Sequence, residues 1–425
     1  MRRVWIPASA GMTERGGNET LQSYNMKKIK FLILITVFID AIGIGIIVPI
    51  MPFFVGRFSS SPLLMTSLFS VFALCSFLSA PVIGAWSDKI GRKAMLVISI
   101  FSTSLGWAVF AGAPSIFFLF LGRIIDGCAA GNFPIAQAYL IDIARDDKER
   151  TTNLGLIGAV FGLAFIVGPF LGGALGAVSH AFPFWFVAAL ALVNGILGIF
   201  FLPETNKNRG ASHGHVSLNP FIPLKRALQD KPLVPNYAAW FLFGIAISAF
   251  MSVFALYAQR MFGLQEFAIG LLFSVMGVII ALNQSIALRH FWLKYFQEPT
   301  LELMLLVIFA VGFLLMSAGG FSLFIAGLVG VIFGQSVLRV VMNSQIASQA
   351  DPMRKGEALG IASSVASLSM VVGPFAAGYL FDYNARIPFV MGALVLLGAF
   401  FILYKKRNVL KGQRLSAEVP IVSEI

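Results

Sequence analysis

Charged side chains are scarce in this sequence. Asp, Glu, Lys and Arg make up 12% of its 425 residues, whereas 58% are hydrophobic and the mean hydropathy is +0.86. A soluble domain carries about 25% charged residues, because lysine and glutamate stay at the water-facing surface. The shortage of charge therefore excludes a soluble fold for most of the chain and predicts that its surface faces lipid.

Cysteine and histidine are also rare, and nucleotide-binding motifs are absent. Cys75 and Cys128 lie within apolar stretches and are interpreted as packing residues without a disulfide. None of the four histidines has the spacing of a metal or catalytic site, and the sequence has no phosphate-binding glycine loop. These absences argue against an enzyme, a cofactor, a metal site and ATP as the energy source.

The net charge of +12 does not indicate a nucleic-acid partner. The basic residues lie in short loops between apolar stretches, not in a stripe interleaved with aromatic side chains. Residues 1–25 lack the apolar core of a signal peptide. They are predicted to be a disordered or non-native extension, with the natural start at Met26.

Apolar stretches long enough to cross a bilayer recur along the whole chain. A transmembrane helix needs about 20 predominantly apolar residues. Hydropathy predicts twelve such helices, over residues 31–55, 62–83, 95–113, 115–141, 153–178, 182–202, 235–259, 267–288, 300–317, 320–345, 357–381 and 387–404.

Positive charge is distributed unevenly between the loops. If the amino end is inside, the inner segments from Lys27 onward hold 23 lysines and arginines, and the outer loops hold only Arg57, Arg260 and Arg386. Positively charged loops stay on the cytoplasmic side. We therefore expect a multi-pass protein of the cell (inner) membrane with both termini in the cytoplasm.

The chain divides into two similar halves. Leu154-Gly155 and Gly168-Pro169 recur as Leu359-Gly360 and Gly373-Pro374, each displaced by the same interval, and a long polar loop falls between them. Parallel repeats of this kind are typical of transporters. The predicted units are a first six-helix half (26–202), a cytoplasmic linker (203–234), a second six-helix half (235–408) and a cytoplasmic tail (409–425).

The loop after the second helix contains Gly84, Asp88, Gly91, Arg92 and Lys93. By charge alone it fits an ordinary solvated turn. Its pattern, however, resembles the signature loop G-x-L-x-D-x-x-G-R-K of the major facilitator superfamily, with tryptophan where leucine is usual. The resemblance covers residues 27–408 and implies that Asp88 and Arg92 form a charge lock. The equivalent loop of the second half lacks the pattern, so the lock is expected on one side only.

Small residues repeat along the fifth helix and again along the eleventh. The positions are Gly155, Gly168, Pro169, Gly172 and Gly173 in the first half and Gly373 and Pro374 in the second. Close glycine-mediated helix packing is one interpretation. The pattern also resembles the antiporter motif of the drug:proton branch, and the first helix resembles that of tetracycline efflux proteins through D-x-x-G-x-G-x-x-x-P, which begins at Asp40.

Four ionisable residues lie deep in predicted spans: Asp40, Arg123, Asp126 and Arg339. A charge at membrane depth costs about 2.5–3.5 kcal/mol, so such residues face the interior of the bundle. Asp142 and Glu302 lie near helix ends and are expected at the interface.

Arg123 and Asp126 are three residues apart and share a helix face. The resemblance implies that Arg123 is a proton-coupling residue of the motif R-x-x-Q-G, with Asp126 in the glutamine's place. A self-neutralising packing pair is the alternative. Asp40 is the leading candidate for the proton carrier, since a buried carboxylate beside an arginine can bind and release a proton. Arg123 is its expected partner, and the alternative is a hydrogen-bonded packing residue.

Arg339 has no acid nearby in sequence and either pairs across the bundle or meets an anionic group of the substrate. The other residues expected to line a substrate cavity are Asn132, Gln137, Gln284 and Asn343. For these amides, hydrogen bonding between helices is an equally good interpretation.

The leading functional hypothesis is proton-coupled export of a small, partly hydrophobic compound such as a drug by a monomeric transporter. The first alternative is a proton-coupled importer of a metabolite or organic anion, which Arg339 would suit. A membrane receptor or enzyme is a further alternative, although no large soluble domain or catalytic pattern supports it.

Overall fold

The computed structural model describes residues 10–206 and 218–418, and every regular element in that part of the chain is helical. Twelve of its helices are long and apolar enough to cross a membrane. They are α1 (Lys27–Val55), α2 (Pro62–Ile90), α3 (Arg92–Ala111), α4 (Ile116–Asp142), α5 (Asp147–Gly176), α6 (Phe182–Phe201), α7 (Val234–Phe262), α8 (Glu266–Tyr295), α9 (Glu298–Ser317), α10 (Phe321–Gln349), α11 (Lys355–Tyr383) and α12 (Ile387–Val409). The prediction of an all-α protein with twelve spans is confirmed.

Several helices are longer than the apolar stretches that predicted them. The polar last turns of α2 and α8, for example, are helical but give no hydropathy signal. Helical backbone also precedes α1 from Ala10, within the segment predicted to be disordered, and it continues α12 to Glu418. Residues 1–9 lie outside the described part, and the boundaries of the extension, the halves, the linker and the tail stay predictions.

Local sequence fixes where the helices begin. Ser61 accepts a hydrogen bond from the Leu64 amide (3.3 Å) at the start of α2, and Asp146 accepts one from the Glu149 amide (2.6 Å) at the start of α5. Such caps satisfy amides that have no partner within the helix. Between α2 and α3 the chain turns at Gly91, whose φ of 118° is accessible to glycine and strained for other residues.

Two helices are irregular in the membrane, which hydropathy did not predict. α4 consists of Ile116–Cys128 and Asn132–Asp142, with a break between them inside the single span that hydropathy predicted. Gly131 at the break has low helix propensity, and Pro134 just after it lacks the amide that would bridge the break. In α8, the stretch Asn283–Trp292 is π-helical, a conformation often found at functional sites.

The two halves pack in the same way. In the first half α1 contacts α5 and α3 contacts α6, and in the second half α7 contacts α11 and α9 contacts α12. The halves meet along two seams, α2 with α11 and α5 with α8. Because α4 lies between α2 and α5, and α10 lies between α8 and α11, α4 and α10 face each other across the space between the halves. We call the face where α1 begins and α12 ends the terminal face, and the other the opposite face.

Candidate functional site

Asp40 lies near the middle of α1 and is half-buried. The Asn132 side-chain amide donates to Asp40 Oδ1 (3.0 Å) and also approaches Thr103 Oγ1 (2.9 Å). The break in α4 places Asn132 at the first turn of the second helical piece, beside α1 and α3. Asn132, predicted to line the cavity, is therefore a buried hydrogen-bonding partner of Asp40.

Arg123 is almost fully buried, with 4% of its side chain exposed. Its Nη2 lies 3.5 Å from Asp126 Oδ2, and its guanidinium carbon lies 4.0 Å from the centre of the Trp107 ring and 4.8 Å from that of Phe110. Among the described residues its Nε and Nη2 have no hydrogen-bond acceptor. One carboxylate and two aromatic faces hold this charge, in line with the preference of arginine for aromatic rings.

The structure therefore pairs Arg123 with Asp126, not with Asp40 as expected. Asp126 also lies within electrostatic reach of Asp40 and contacts Thr103. We call Asp40, Arg123, Asp126, Asn132 and Thr103 the carboxylate site. When all its groups are ionised, the site carries one net negative charge, and it becomes neutral when one proton binds. In surroundings of low dielectric, a difference of one unit charge changes the electrostatic energy far more than it would in water.

Three of the predicted cavity residues come together in the second half. Gln284 donates to the Ser336 carbonyl (2.9 Å), and Ser336, Arg339 and Asn343 form one stripe along α10. The Asn343 amide bonds back to the Arg339 carbonyl (3.0 Å). Gln137, on α4, is half-buried on the far side of the space between the halves.

The gating loop forms its contacts within the first half and the start of the linker. Arg92 binds Asp88 (2.8 Å) and Asp142 (3.2 Å), and the amides of Arg92 and Lys93 donate to Glu204 (2.9 and 3.2 Å). Asp88 and Arg92 thus form an ion pair within the loop, and their role as a charge lock stays a prediction. Gly84 lies on α2, where an added Cβ would meet no atom within 4 Å.

The glycines of the antiporter motif lie where helix backbones touch. A Cβ added at Gly168 would lie 3.1 Å from Gly45 Cα, and one at Gly172 would lie 2.9 Å from the Ile46 carbonyl, so both face α1. Gly45 in turn faces the ring of Pro169. In the second half, Gly373 meets the backbone of α7 in the same way and is followed by Pro374 within the helix.

The seams between the halves are closed at the opposite face, and the α5–α8 seam is also closed at mid-helix, where Ser274 donates to the Ile166 carbonyl (2.8 Å). A Cβ at Gly173 of α5 would lie 2.7 Å from the Glu266 carbonyl of α8, and one at Gly378 of α11 would lie 2.9 Å from Leu63 Cα of α2. Five turns away on the same faces, Gly155 and Gly360 have nothing within 4 Å. The space between the halves therefore opens toward the terminal face.

Some residues of the site could not be selected from the sequence. Thr103 and Trp107 on α3 are ordinary members of an apolar helix, and only the packing of α3 on α4 reveals them. Glu302 lies one turn from the start of α9, near the helix end as expected, but it is buried there (5% exposed) near Glu298 and Lys406. Lys406 lies three residues from the end of α12. It is a basic residue that the sequence could have suggested as a neighbour of Glu302.

Twelve spans in two repeated halves, a mid-membrane carboxylate site and a space open to one face define a membrane transporter of the alternating-access type. Comparison with known proteins agrees. The family model described as Major Facilitator Superfamily matches residues 33–300 and 291–422, and the chain belongs to this superfamily.

Among curated relatives, Multidrug resistance protein 2 of Bacillus subtilis (strain 168) is 27% identical, over 91% of this chain and 98% of its own length. Tetracycline resistance protein, class C, of Escherichia coli is 26% identical, over 88% and 96%. Among solved structures, the human organic anion transporter MFSD10 superposes with a TM-score of 0.65 at 22% identity, covering 89% of this chain and 99% of that one. The nucleoside transporter NupG superposes with a TM-score of 0.74 at 13% identity, over 90% and 98%. At these identities the structures show a shared fold.

Proposed function

We propose that this protein exports a small, partly hydrophobic compound such as a drug in exchange for protons, by alternating access. The observation that carries the proposal is the carboxylate site, in which Asp126 pairs with Arg123 and Asp40 lies within electrostatic reach of Asp126, deep in the first half. Binding of one proton neutralises the site, so its charge differs between two states of a transport cycle. The carboxylate site adjoins the packing surface between α1 and α5. A change of charge at the site can therefore act on helices that must move during transport.

The relatives support export over import. Their names describe resistance to tetracycline, to quinolones or to several drugs. A membrane transporter confers resistance by lowering the internal concentration of a compound, which requires export. Uptake of an organic anion, the alternative that Arg339 would suit, has no such support from these curated relatives, and the organic anion transporter among the solved structures indicates only the fold. We further propose that the chain acts as a monomer and catalyses no chemical reaction.

We propose that the terminal face is cytoplasmic and that the membrane is the cell (inner) membrane, as the distribution of positive charge favours. Single cysteines at Asp146, Lys207 and Arg354, introduced after replacement of Cys75 and Cys128, should react with an impermeant maleimide only in inverted vesicles. Reaction in intact cells would contradict the orientation. In this orientation the structure is inward-facing, and the Asp88–Arg92 pair is a lock that engages the second half when the space closes.

A proton-flux assay tests the proposed function. The purified protein is reconstituted into liposomes with a pH-sensitive dye, and a panel of drugs is added under an imposed pH gradient. We expect at least one compound to move uphill and to release protons in parallel. Uphill movement driven by another ion, or none with any compound, would contradict the proposal.

A further inference from the structure

Two cysteine side chains of the first half meet inside the membrane. The chain has two cysteines, Cys75 on α2 and Cys128 on α4, and both are free thiols. Cys75 lies about 20 Å from the opposite-face end of α2 and Cys128 about 18 Å from that of α4, so the two share one depth. Their sulfhydryl groups are hydrogen-bonding neighbours. The fold therefore brings two thiols, one from each helix, to the same place.

The backbones of α2 and α4 touch beside the two thiols. A Cβ added at Gly127 would lie 2.8 Å from Cys75 Cβ and 2.7 Å from the Phe72 carbonyl. The Ser79 hydroxyl donates to the Gly127 carbonyl (3.2 Å). Small residues allow such close approach of membrane helices. The contact of the two helices thus keeps Cys75 beside Cys128 without a disulfide.

The thiol pair is accessible. A free cysteine that serves only as a small apolar packing group is usually buried. Cys128 is exposed and Cys75 is partly exposed, so a small reagent can reach both sulfur atoms. Cys128 also ends the first piece of α4, directly before the break in that helix. Proximity and exposure together indicate a pair that can bind a ligand.

The number of ligands restricts the ion that the pair can hold. In the described part of the chain, no group of three or more His, Cys, Asp or Glu side chains is placed to hold a metal. A structural Zn²⁺ site needs four ligands, so zinc does not fit. Sulfur prefers soft ions, and a soft ion that binds two sulfur atoms in a line needs no further ligand.

The surroundings restrict the charge of that ion. The carboxylate site adjoins the pair, because the Arg123 guanidinium carbon lies 5.7 Å from the centre of the Phe72 ring, one turn from Cys75. Two thiolates and a univalent ion would leave one negative charge at membrane depth, near a site that is itself negative when ionised. Two thiolates and a divalent ion form a neutral complex, which avoids the cost of a charge in a medium of low dielectric.

We propose that Cys75 and Cys128 form a binding site for a divalent thiophilic cation of the mercuric class, held between α2 and α4. When mercuric chloride binds, two S–H bonds and two Hg–Cl bonds break, two S–Hg bonds form, and two protons and two chloride ions leave. No electrons are transferred, so the step needs no oxidant. The site uses neither a substrate nor the transported proton, and it is independent of the proposed export function.

Retention of mercury by the full chain in lipid nanodiscs tests the proposal. The protein is incubated with mercuric chloride and passed through a column in buffer with excess glutathione, and the bound mercury is measured by mass spectrometry. Glutathione competes with separate thiols, whereas the second cysteine of a pair binds within the same molecule and gains from its effective concentration. We expect the wild-type protein to retain one mercury ion per chain. Loss of all mercury to glutathione would overturn the proposal.

Two single substitutions show whether both thiols are needed. Cys75→Ser and Cys128→Ser should each retain about ten-fold less mercury than the wild type, because the intramolecular advantage of the second thiol is lost. Serine is close to cysteine in size, so the packing of α2 on α4 should persist. Retention by either variant at the wild-type level would show that one thiol suffices and would contradict a paired site.

Cys75→Ser/Val311→Cys is the matched control, because it keeps two thiols in the membrane but places them in different halves. Val311 is exposed on α9, which packs on α10 and α12. This variant should lose mercury to glutathione as the single variants do. If it retains as much mercury as the wild type, any two membrane thiols bind the ion, and the assignment to the α2–α4 contact is wrong.

Discussion

The two halves share one packing scheme but carry opposite charges in the membrane. In the first half Asp40 and Asp126 lie deep in the membrane with Arg123 between α3 and α4. In the second half the only deep charge of the described spans is Arg339, and the acids lie at or near helix ends. The two halves therefore share their helix packing, whereas their charged side chains differ at equivalent depths.

This difference indicates that the two halves have different functions. The first half holds its charges in a network of an ion pair, amide and hydroxyl contacts and aromatic rings, which suits a site that must change protonation without losing its shape. Arg339 in the second half has no such network and is open to the space between the halves. We infer that the first half handles the proton and the second half orients the substrate.

The largest expected effect is that of Asp40→Asn. The amide keeps the size and most hydrogen bonds of the carboxylate but cannot titrate. We expect uphill transport and substrate-induced proton release to vanish, while expression and monodispersity persist. The assay is the reconstituted proton-flux measurement.

Asp147→Asn is the matched control for this prediction, because Asp147 is exposed in the first turn of α5, outside the carboxylate site. It should transport as the wild type does. An Asp40→Asn protein that still concentrates substrate against a gradient would move the proton site elsewhere, with Asp126 the next residue to replace.

Gly172→Leu is expected to block transport almost completely. Even a Cβ at this position lies 2.9 Å from the Ile46 carbonyl, so a leucine must push α1, and Asp40 with it, away from α5. Membrane insertion should be little affected, because leucine favours the hydrocarbon. Transport and the amount of membrane-inserted protein are measured together.

Gly398→Leu is the control for the packing prediction, since a Cβ there meets only the end of the Leu242 side chain, at 3.7 Å. Normal transport by Gly172→Leu would show that the α1–α5 contact is not needed and would remove the structural support for the antiporter motif.

The sequence predicted the spans and the deep charges because both depend on local composition. Hydropathy locates a helix without knowledge of its neighbours, and a charge in an apolar stretch is visible in one dimension. The partners of Asp40 and Arg123 depend on which helices meet and at what height. The break at Gly131 turns Asn132 toward Asp40, and Trp107 reaches Arg123 only because α3 packs on α4. Pairings of this kind require the three-dimensional structure.

A smaller effect is expected from Asp126→Asn. It leaves Arg123 buried beside aromatic rings with no carboxylate, and breaking a buried pair in this way costs about 3 kcal/mol. The double variant Arg123→Gln/Asp126→Asn removes both charges and should recover most of that loss. The free energy of unfolding in detergent measures both changes. Equal losses in the single and double variants would show that the pair does not stabilise the first half.

The smallest effect concerns the contact that joins the halves at the opposite face. His180, between α5 and α6, lies with its Nε2 3.2 Å from Glu266 Oε1 at the start of α8. The histidine is partly exposed, so the pair should contribute at most about 1 kcal/mol to closure of this face. Loss of that energy raises the population open at the opposite face by about five-fold. We expect His180→Asn to produce this rise in the distance distribution between spin labels at positions 57 and 260. His290→Asn replaces an exposed histidine of α8 near the terminal face and should leave the distribution unchanged. If the two variants give the same distribution, glycine-mediated packing alone closes the opposite face, and the halves meet there without a polar latch.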